Sequence, residues 1–236
     1  MSLFKILRAL RRNRSGVAMT EFALGAPFLL TAGLWGVETA NFAVVNMKVG
    51  QLAVHLADNA SRIGDTATLQ DRKLYEEDLT DVLVGANIQG GSGLDLFRHG
   101  RVIITSVELW NTSNHCKSSG CAGNGQSDGH QFIHWQRCKG ALARNSAYGN
   151  QNQSLPNGIG PTGQEVCASD ESPVIFVEVY YDYQPLIALP WLNPTTITST
   201  ATFLVRDNRD QSEVYKRNTI TQPSDCNDYD TFATSG

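Results

Sequence analysis

Residues 17–37 read VAMTEFALGAPFLLTAGLWGV, an apolar run interrupted by Thr20, Glu21 and Thr31. As an α-helix this run would extend about 30 Å, close to the thickness of the hydrocarbon core of a bilayer. Five basic residues and no acidic residue precede the run: Lys5, Arg8, Arg11, Arg12 and Arg14. No comparable basic cluster follows it. Because a basic flank stays in the cytoplasm, the pattern predicts one transmembrane helix, with the residues after Val37 on the opposite side of the membrane.

Charge is divided unevenly along the chain. The 236 residues have a net charge of −4, yet the first 16 carry +5 and the remainder, with 14 basic and 23 acidic residues, carries −9. This balance argues against a nucleic-acid-binding surface, and 41% apolar with 18% charged residues argues against extended disorder. We expect a basic cytoplasmic leader (1–16), a transmembrane helix (17–37), a helical stalk (38–63) and an exported head (64–236).

Two residues are unusual for a plain membrane anchor. Glu21 places a carboxylate in the apolar run, at a cost of about 3 kcal/mol unless it reaches the head groups at the cytoplasmic interface. Gly16 lies between the basic block and the run, where it either begins the helix or offers a protease a flexible backbone. Three interpretations stay open: a cleaved secretory signal peptide, a permanent signal anchor, and a leader processed at Gly16.

The stretch RSGVAMTEF, residues 14–22, resembles the processing site of type IV prepilins, with a basic leader, Gly, and Glu as the fifth mature residue before an aromatic residue. Residues 11–63 further resemble the TadE-like family of tight-adherence (Flp-type) pilus proteins. Members of that family have G-x4-E-F, an apolar helix, a second Glu near its outer end and an Ala-rich continuation. The second Glu is here Glu38, at the predicted membrane edge.

This resemblance implies a minor pilin or pseudopilin of a bacterial type IV pilus. A prepilin peptidase would cut between Gly16 and Val17, Glu21 would meet the amino terminus of a neighbouring subunit, and Phe22 would pack beside it. The implied partners are the peptidase, other major and minor pilus subunits and the inner membrane, with no cofactor and no nucleic acid. The alternative is an unprocessed inner-membrane protein whose periplasmic head binds a partner or acts as an assembly scaffold.

The exported part is predicted to be α+β, with a pilin-like long helix on a small antiparallel sheet. Apolar residues at heptad-like spacing in residues 42–63 either pack on the protein's own sheet or line a bundle of subunits. A second helix is expected from Thr66 or Thr68, with Leu74, Leu79, Val82, Leu83 and Ala86 buried and the acidic residues Glu76, Glu77, Asp78 and Asp81 solvated. Turn-rich residues 87–93 should end it.

Three segments carry strand patterns. Residues 102–110 are rich in β-branched residues, residues 174–183 read VIFVEVYYDY, and residues 195–206 alternate with period two. Residues 111–172 between the first two form a long insertion that holds four of the five cysteines. An irregular stretch of this length is uncommon unless it is cross-linked or functional, and a short helix-like piece is expected at residues 130–142.

The cysteines are expected to form disulfides, because the predicted topology places all five in an oxidising compartment. Two bridges with one thiol left over allow 15 arrangements, among which we favour Cys116–Cys121 and Cys138–Cys167, with Cys226 free. The alternative is a metal site built from His115, Cys116, Cys121, His130, His134 and Cys138, although their spacing matches no common zinc motif.

Catalytic motifs are not found in the sequence. It contains no G-x-S-x-G, P-loop, G-x-G-x-x-G or H-E-x-x-H, so we expect the protein not to be an enzyme. The acidic residues of the tail, Asp225, Asp228 and Asp230, are interpreted as a solvated end without an EF-hand pattern.

Overall fold

The computed structural model describes residues 15–64, 72–109, 131–168, 172–187, 195–205, 209–210 and 212–232. They form an α+β protein with the elements α1 (Ser15–Arg62), α2 (Glu76–Gly90), α3 (Leu96–His99), β1 (Gly100–Leu109), β2 (Gln131–Lys139), β3 (Val174–Asp182) and β4 (Thr196–Leu204). The chain divides into two compact units, an anchor unit of Met1–Val44 with Pro185–Leu192 and a head unit of Val45–Gln184 with Asn193–Gly236. The predicted fold class, a long apolar helix with an antiparallel sheet, is confirmed at this level.

Helix α1 contributes to both units. It runs without a break through Pro27, and the hydroxyl of Thr31 donates to the Pro27 carbonyl oxygen at 2.6 Å. Before residue 38 its side chains are exposed or half-buried, whereas Val49, Leu52 and Leu56 are buried in the head unit. The change of environment along one helix follows the sequence, since the first part is apolar all round and the second is apolar on one stripe.

The head sheet has four antiparallel strands in the order β2-β1-β3-β4. In the register of the three strands, Ile104 pairs with Val177 and Val177 pairs with Ala201. The two central strands are buried along nearly their whole length, as expected for β-branched segments covered on both faces. The three predicted strands are confirmed with shifts of one or two residues at their ends.

Strand β2 is absent from the sequence-based expectation, and the predicted helical piece at residues 130–142 is wrong. Its residues QFIHWQRCK pair with β1 from Gln131 to Lys139. The spacing of four between His130, His134 and Cys138 suits one face of a helix, but it also suits one face of a strand. Pairing with β1, a partner more than 20 residues away, decides between the two.

The second half of α1 packs within the head unit. A Cβ atom built on Gly50 would lie 3.8 Å from Ser199 Oγ on β4. Val49, Leu52 and Leu56 from the heptad-like stripe are buried without any second subunit. These residues are therefore covered within the head unit itself, as the interpretation of packing on the protein's own sheet expects.

Helix α2 begins later than predicted. Tyr75 occupies its N-cap position, while Thr66 and Thr68 lie outside the described residues. The backbone N–H of Glu76 donates to the Tyr215 carbonyl at 2.9 Å, and the Tyr215 N–H donates to the Leu74 carbonyl at 2.8 Å. These contacts hold the preceding residues extended, so Leu74 is buried outside the helix. Within the helix, Leu79, Leu83 and Ala86 are buried as predicted, and Val82 is half-buried.

A C-terminal strap, the described residues between 209 and 232, belongs to the head unit and contacts its helices and sheet. Arg209 donates to the carbonyls of Ala60, Ser61 and Ile63 at the end of α1. Farther along, Arg217 binds Asp78 with Nη1–Oδ1 at 2.6 Å. The strap thus supplies a hydrogen-bond donor to carbonyl groups at the end of α1 and a cationic partner to Asp78. Both contacts come from residues far away in the sequence.

The prediction of a solvated acidic tail is wrong for Asp230. Its carboxylate accepts hydrogen bonds from Lys139 Nζ at 2.7 Å and from the Gly140 N–H at 2.9 Å. Asp225 accepts from the backbone and side chain of Asn227. Asp225 and Asp228 are exposed, as predicted, whereas Asp230 is half-buried and holds the strap against the end of β2.

Candidate functional site

The residues of the processing motif lie in the first turns of α1. Val17 and Phe22 are 50% and 71% exposed, and nothing lies within 4 Å of a Cβ atom built on Gly16. The hydroxyl of Thr20 donates to the Val17 carbonyl at 2.8 Å. Val17 and Glu21 are four residues apart and therefore lie on the same face of the helix. The structure thus places Val17 and the one carboxylate of the apolar run on the same face of the first turns of α1.

The apolar part of α1 carries half of the exposed large apolar side chains among the described residues. No residue in its most apolar 18-residue window is buried, and α1 is the one described helix long and apolar enough to cross a membrane. Phe28 and Leu29 are 78% and 75% exposed. Soluble monomers rarely expose so many apolar side chains along one helix, so this surface is consistent with a membrane-spanning segment.

Glu38, the predicted membrane-edge residue, is 6% exposed and belongs to the anchor unit. Its Oε2 accepts a hydrogen bond from the Ile187 N–H at 3.1 Å. Ile187 lies in the connection between β3 and β4. The sequence places Glu38 at the end of the run but contains no local signal for this long-range contact.

The cysteine pairing differs from the prediction. Cys138 on β2 is bonded to Cys226 in the strap, with Cα atoms 4.7 Å apart, and Cys167 is free and exposed. The favoured Cys138–Cys167 bridge and a free Cys226 are therefore wrong, because the strap passes beside the edge strand. Cys116 and Cys121 lie outside the described residues, and their predicted bridge stays a prediction.

Arg101 reinforces the attachment of the strap beside this disulfide. Its side chain is fully buried and donates to the carbonyls of Gly140, Cys226 and Asp228 at 2.7–2.8 Å. The guanidinium also lies 4.2 Å from the ring centroid of Tyr229, a cation–π geometry. A buried charge with several acceptors holds the strap against the start of β1.

A buried charge pair joins α2 to the sheet. Arg137 on β2 donates from Nε to Glu76 Oε2 at 2.8 Å and from Nη2 to Glu76 Oε1. Glu76 is 2% exposed, so its assignment to a solvated helix face is wrong. The acidic residues were expected to face water because the basic partner lies 61 residues away in the chain.

A Ser–Glu–His cluster lies between β1 and β2, near the end of β1. Ser106 Oγ donates to Glu108 Oε1 at 2.8 Å, and His134 Nδ1 lies 2.8 Å from Glu108 Oε2. Burial lowers the pKa of His134, but the Glu108 carboxylate outweighs it and the pKa is raised overall. Ser106 donates to the carboxylate rather than to the imidazole, so this arrangement lacks the nucleophile–base contact of a hydrolase.

The described part of the chain holds no group of three His, Cys, Asp or Glu side chains arranged to bind a metal, so it gives no support to the alternative metal site. His134 binds Glu108, and the sulfur of Cys138 is used in the disulfide. The other four candidates, His115, Cys116, Cys121 and His130, lie outside the described residues.

A polar cleft of about 420 Å³ lies beside the disulfide. The described residues of its lining include no cationic side chain and are Gln136, Asn145, Ser146, Asn150, Gln151, Asp225, Cys226 and Asn227. Gln136 donates to Thr105 Oγ1 at 3.0 Å and to the Gly149 carbonyl at 3.2 Å, which fixes its amide. Amides and one carboxylate suit a neutral, hydroxyl-rich ligand.

Comparisons with protein-family models, curated proteins and solved structures give no match for this chain.

Sequence reasoning identified the surface of α1 and missed the contacts of the strap. The motif residues Gly16, Val17, Glu21 and Phe22 are recognisable because their spacing is local. Cys226 and Asp230 are separated from their partners by about 90 residues. A weak signal was available, since a tail with one Cys and three closely spaced acidic residues can pair with a basic, Cys-containing edge strand.

Proposed function

We propose that the protein is a minor pilin or pseudopilin of a bacterial tight-adherence pilus, similar to the TadE-like family. It would enter the inner membrane once, with residues 1–16 in the cytoplasm and the head in the periplasm, and would be cut after Gly16. The supporting observation is one continuous helix, α1, whose exposed apolar half begins with the G-x4-E-F motif and whose other half is buried in a head. Pilin-like subunits require such a helix for both membrane storage and filament packing.

The chemistry of the motif supports this proposal. Cleavage would leave an ammonium group on Val17, one helical turn from Glu21 on the same face. Both residues are exposed in the single chain. A carboxylate transferred into an apolar filament core needs a cationic partner, and the amino terminus of the neighbouring subunit supplies one. The protein would thus be a substrate of the peptidase, with no catalytic role of its own.

Mass spectrometry of the mature amino terminus tests the processing step. In cells with an active prepilin peptidase we expect a chain beginning at Val17, and in cells without it a chain retaining Met1. Gly16→Leu should block the cut, because a bulky side chain replaces the flexible residue at the scissile bond. Gly25→Leu is the matched control, since Gly25 lies in the same helix with nothing within 4 Å of a Cβ atom. An intact wild-type chain beside an active peptidase would refute the processing.

The polar cleft favours a second candidate, an uncut membrane-anchored protein whose head binds a neutral saccharide. Full-length protein in detergent would then bind neutral glycans on an array, and Asn150→Ala in the cleft would reduce binding at least tenfold. Asn46→Ala, on an exposed part of α1, should leave binding unchanged. Absence of binding to any neutral glycan would remove this candidate.

A further inference from the structure

The distance along α1 from Val17 to the buried carboxylate of Glu38 can be compared with the thickness of a membrane. Val17 and Glu38 are separated by 21 residues, or about 32 Å of helix. A hydrocarbon core is about 30 Å thick. If the apolar half of α1 spans the membrane from Val17, as the proposed function requires, Glu38 lies at the outer interface.

Ile187 is fixed to this level of the helix. Its backbone N–H donates to Glu38 Oε2 at 3.1 Å, and Glu38 is 6% exposed. Both residues belong to the anchor unit, although Ile187 is contributed by the connection between β3 and β4. Next to it, Leu186 is 67% exposed. An exposed leucine therefore lies at the depth where head groups meet hydrocarbon.

The described start of the connection has a composition that suits that depth. Residues 185–187 read PLI and carry no charged side chain, and residues 188–194 lie outside the described part. A backbone N–H group at the boundary of the bilayer needs a hydrogen-bond partner. Glu38 supplies such an acceptor to Ile187.

We propose that the start of the β3–β4 connection is a second membrane contact, in which Leu186 enters the outer interface and Glu38 holds the connection against α1 through the Ile187 N–H. The occupant of this apolar site is lipid of the outer leaflet, because Glu38 fixes the connection at the depth of the outer interface. This inference rests on the membrane insertion of α1 and adds a site that the processing motif does not require.

Depth-dependent quenching in nanodiscs tests the contact with the full chain. An environment-sensitive fluorescent amino acid is placed at Leu186 or at Leu29 in the apolar helix, in phosphatidylcholine carrying a spin label near the head group. Leu29 is 75% exposed, belongs to the same unit and serves as the matched probe. We expect at least twofold quenching at position 186 by this label, and weaker quenching at position 29, which lies about 14 Å from the level of Glu38 along the helix.

The probe at Leu29, read with a spin label deeper in the acyl chain, reports insertion of α1 separately. Quenching at 29 without quenching at 186 overturns the second contact while the membrane anchor stands. Quenching at neither position refutes the anchor as well.

The role of Glu38 has its own variants. Glu38→Ala removes the acceptor and should reduce quenching at position 186 by at least half, whereas Glu38→Gln keeps an acceptor oxygen and should preserve most of it. Quenching at Leu29 in the same samples shows that the variant chain is inserted. Equal quenching at position 186 in Glu38→Ala and the unsubstituted chain would show that Glu38 does not hold the connection.

Discussion

Glu76 and Arg137 form a charge pair at 3% and 11% side-chain exposure. Removing one partner leaves the other charge buried and unpaired, so Glu76→Gln is expected to lower the free energy of unfolding by about 3–5 kcal/mol. Asp78→Asn provides the matched control, because the Asp78–Arg217 pair on the same helix is far more exposed and should cost about 1 kcal/mol or less. Urea denaturation of the full chain in detergent compares the two. Equal losses of unfolding free energy in the two variants would contradict the expectation that the buried pair is the more costly one to break.

His134 is a second single residue with a measurable effect. Because its folded pKa is raised above the ordinary value of 6.5, its contribution to stability is complete below that value and is lost as the pH rises through the folded pKa. The free energy of unfolding should therefore fall above pH 6.5, and His134→Gln should remove this part of the fall. Urea denaturation at several pH values measures the difference between the chains. Parallel pH profiles would show that Glu108 does not stabilise the protonated ring.

At the scale of elements, the strap is cross-linked to β2 over a sequence separation of 88 residues. In the chain-entropy model a loop of this length is stabilised by about 4–5 kcal/mol. Cys226→Ser should therefore lower the unfolding free energy by about 2–5 kcal/mol, while Cys167→Ser, at a free and exposed thiol, should change it little. Non-reducing peptide mapping checks the pairing itself, and a Cys138–Cys167 peptide would contradict the structure.

Elements also show what a sequence can predict. Strands β1, β3 and β4 were predictable because their β-branched or alternating patterns are local. Strand β2 was not, since His130, His134 and Cys138 satisfy both helical and strand spacing until β1 is available for pairing. The start of α2 at Glu76 and the buried pair of Glu76 with Arg137 depend in the same way on distant partners. The motif of the candidate site was readable because Gly16 to Phe22 is contiguous.

For the whole molecule, the proposed function assigns two separable roles to the amino-terminal helix. Recognition for cleavage depends on Gly16, while assembly depends on the carboxylate of Glu21 meeting a neighbouring amino terminus. Glu21→Ala is therefore expected to leave cleavage largely intact and to reduce the amount of protein in sheared filaments at least fivefold. Mass spectrometry of the amino terminus measures the first role, and quantitative blotting of the filament fraction measures the second.

Thr31→Ala is the appropriate control for that variant. Thr31 is another polar residue of the apolar run, and its exposed hydroxyl donates locally to the Pro27 carbonyl. Its removal changes the polarity of the helix without removing a charge, so incorporation into filaments should stay normal. If Glu21→Ala is incorporated as well as Thr31→Ala, the carboxylate does not guide docking. In that case the exposed apolar surface alone would have to drive subunits together, which makes the head and its strap the source of specificity in assembly.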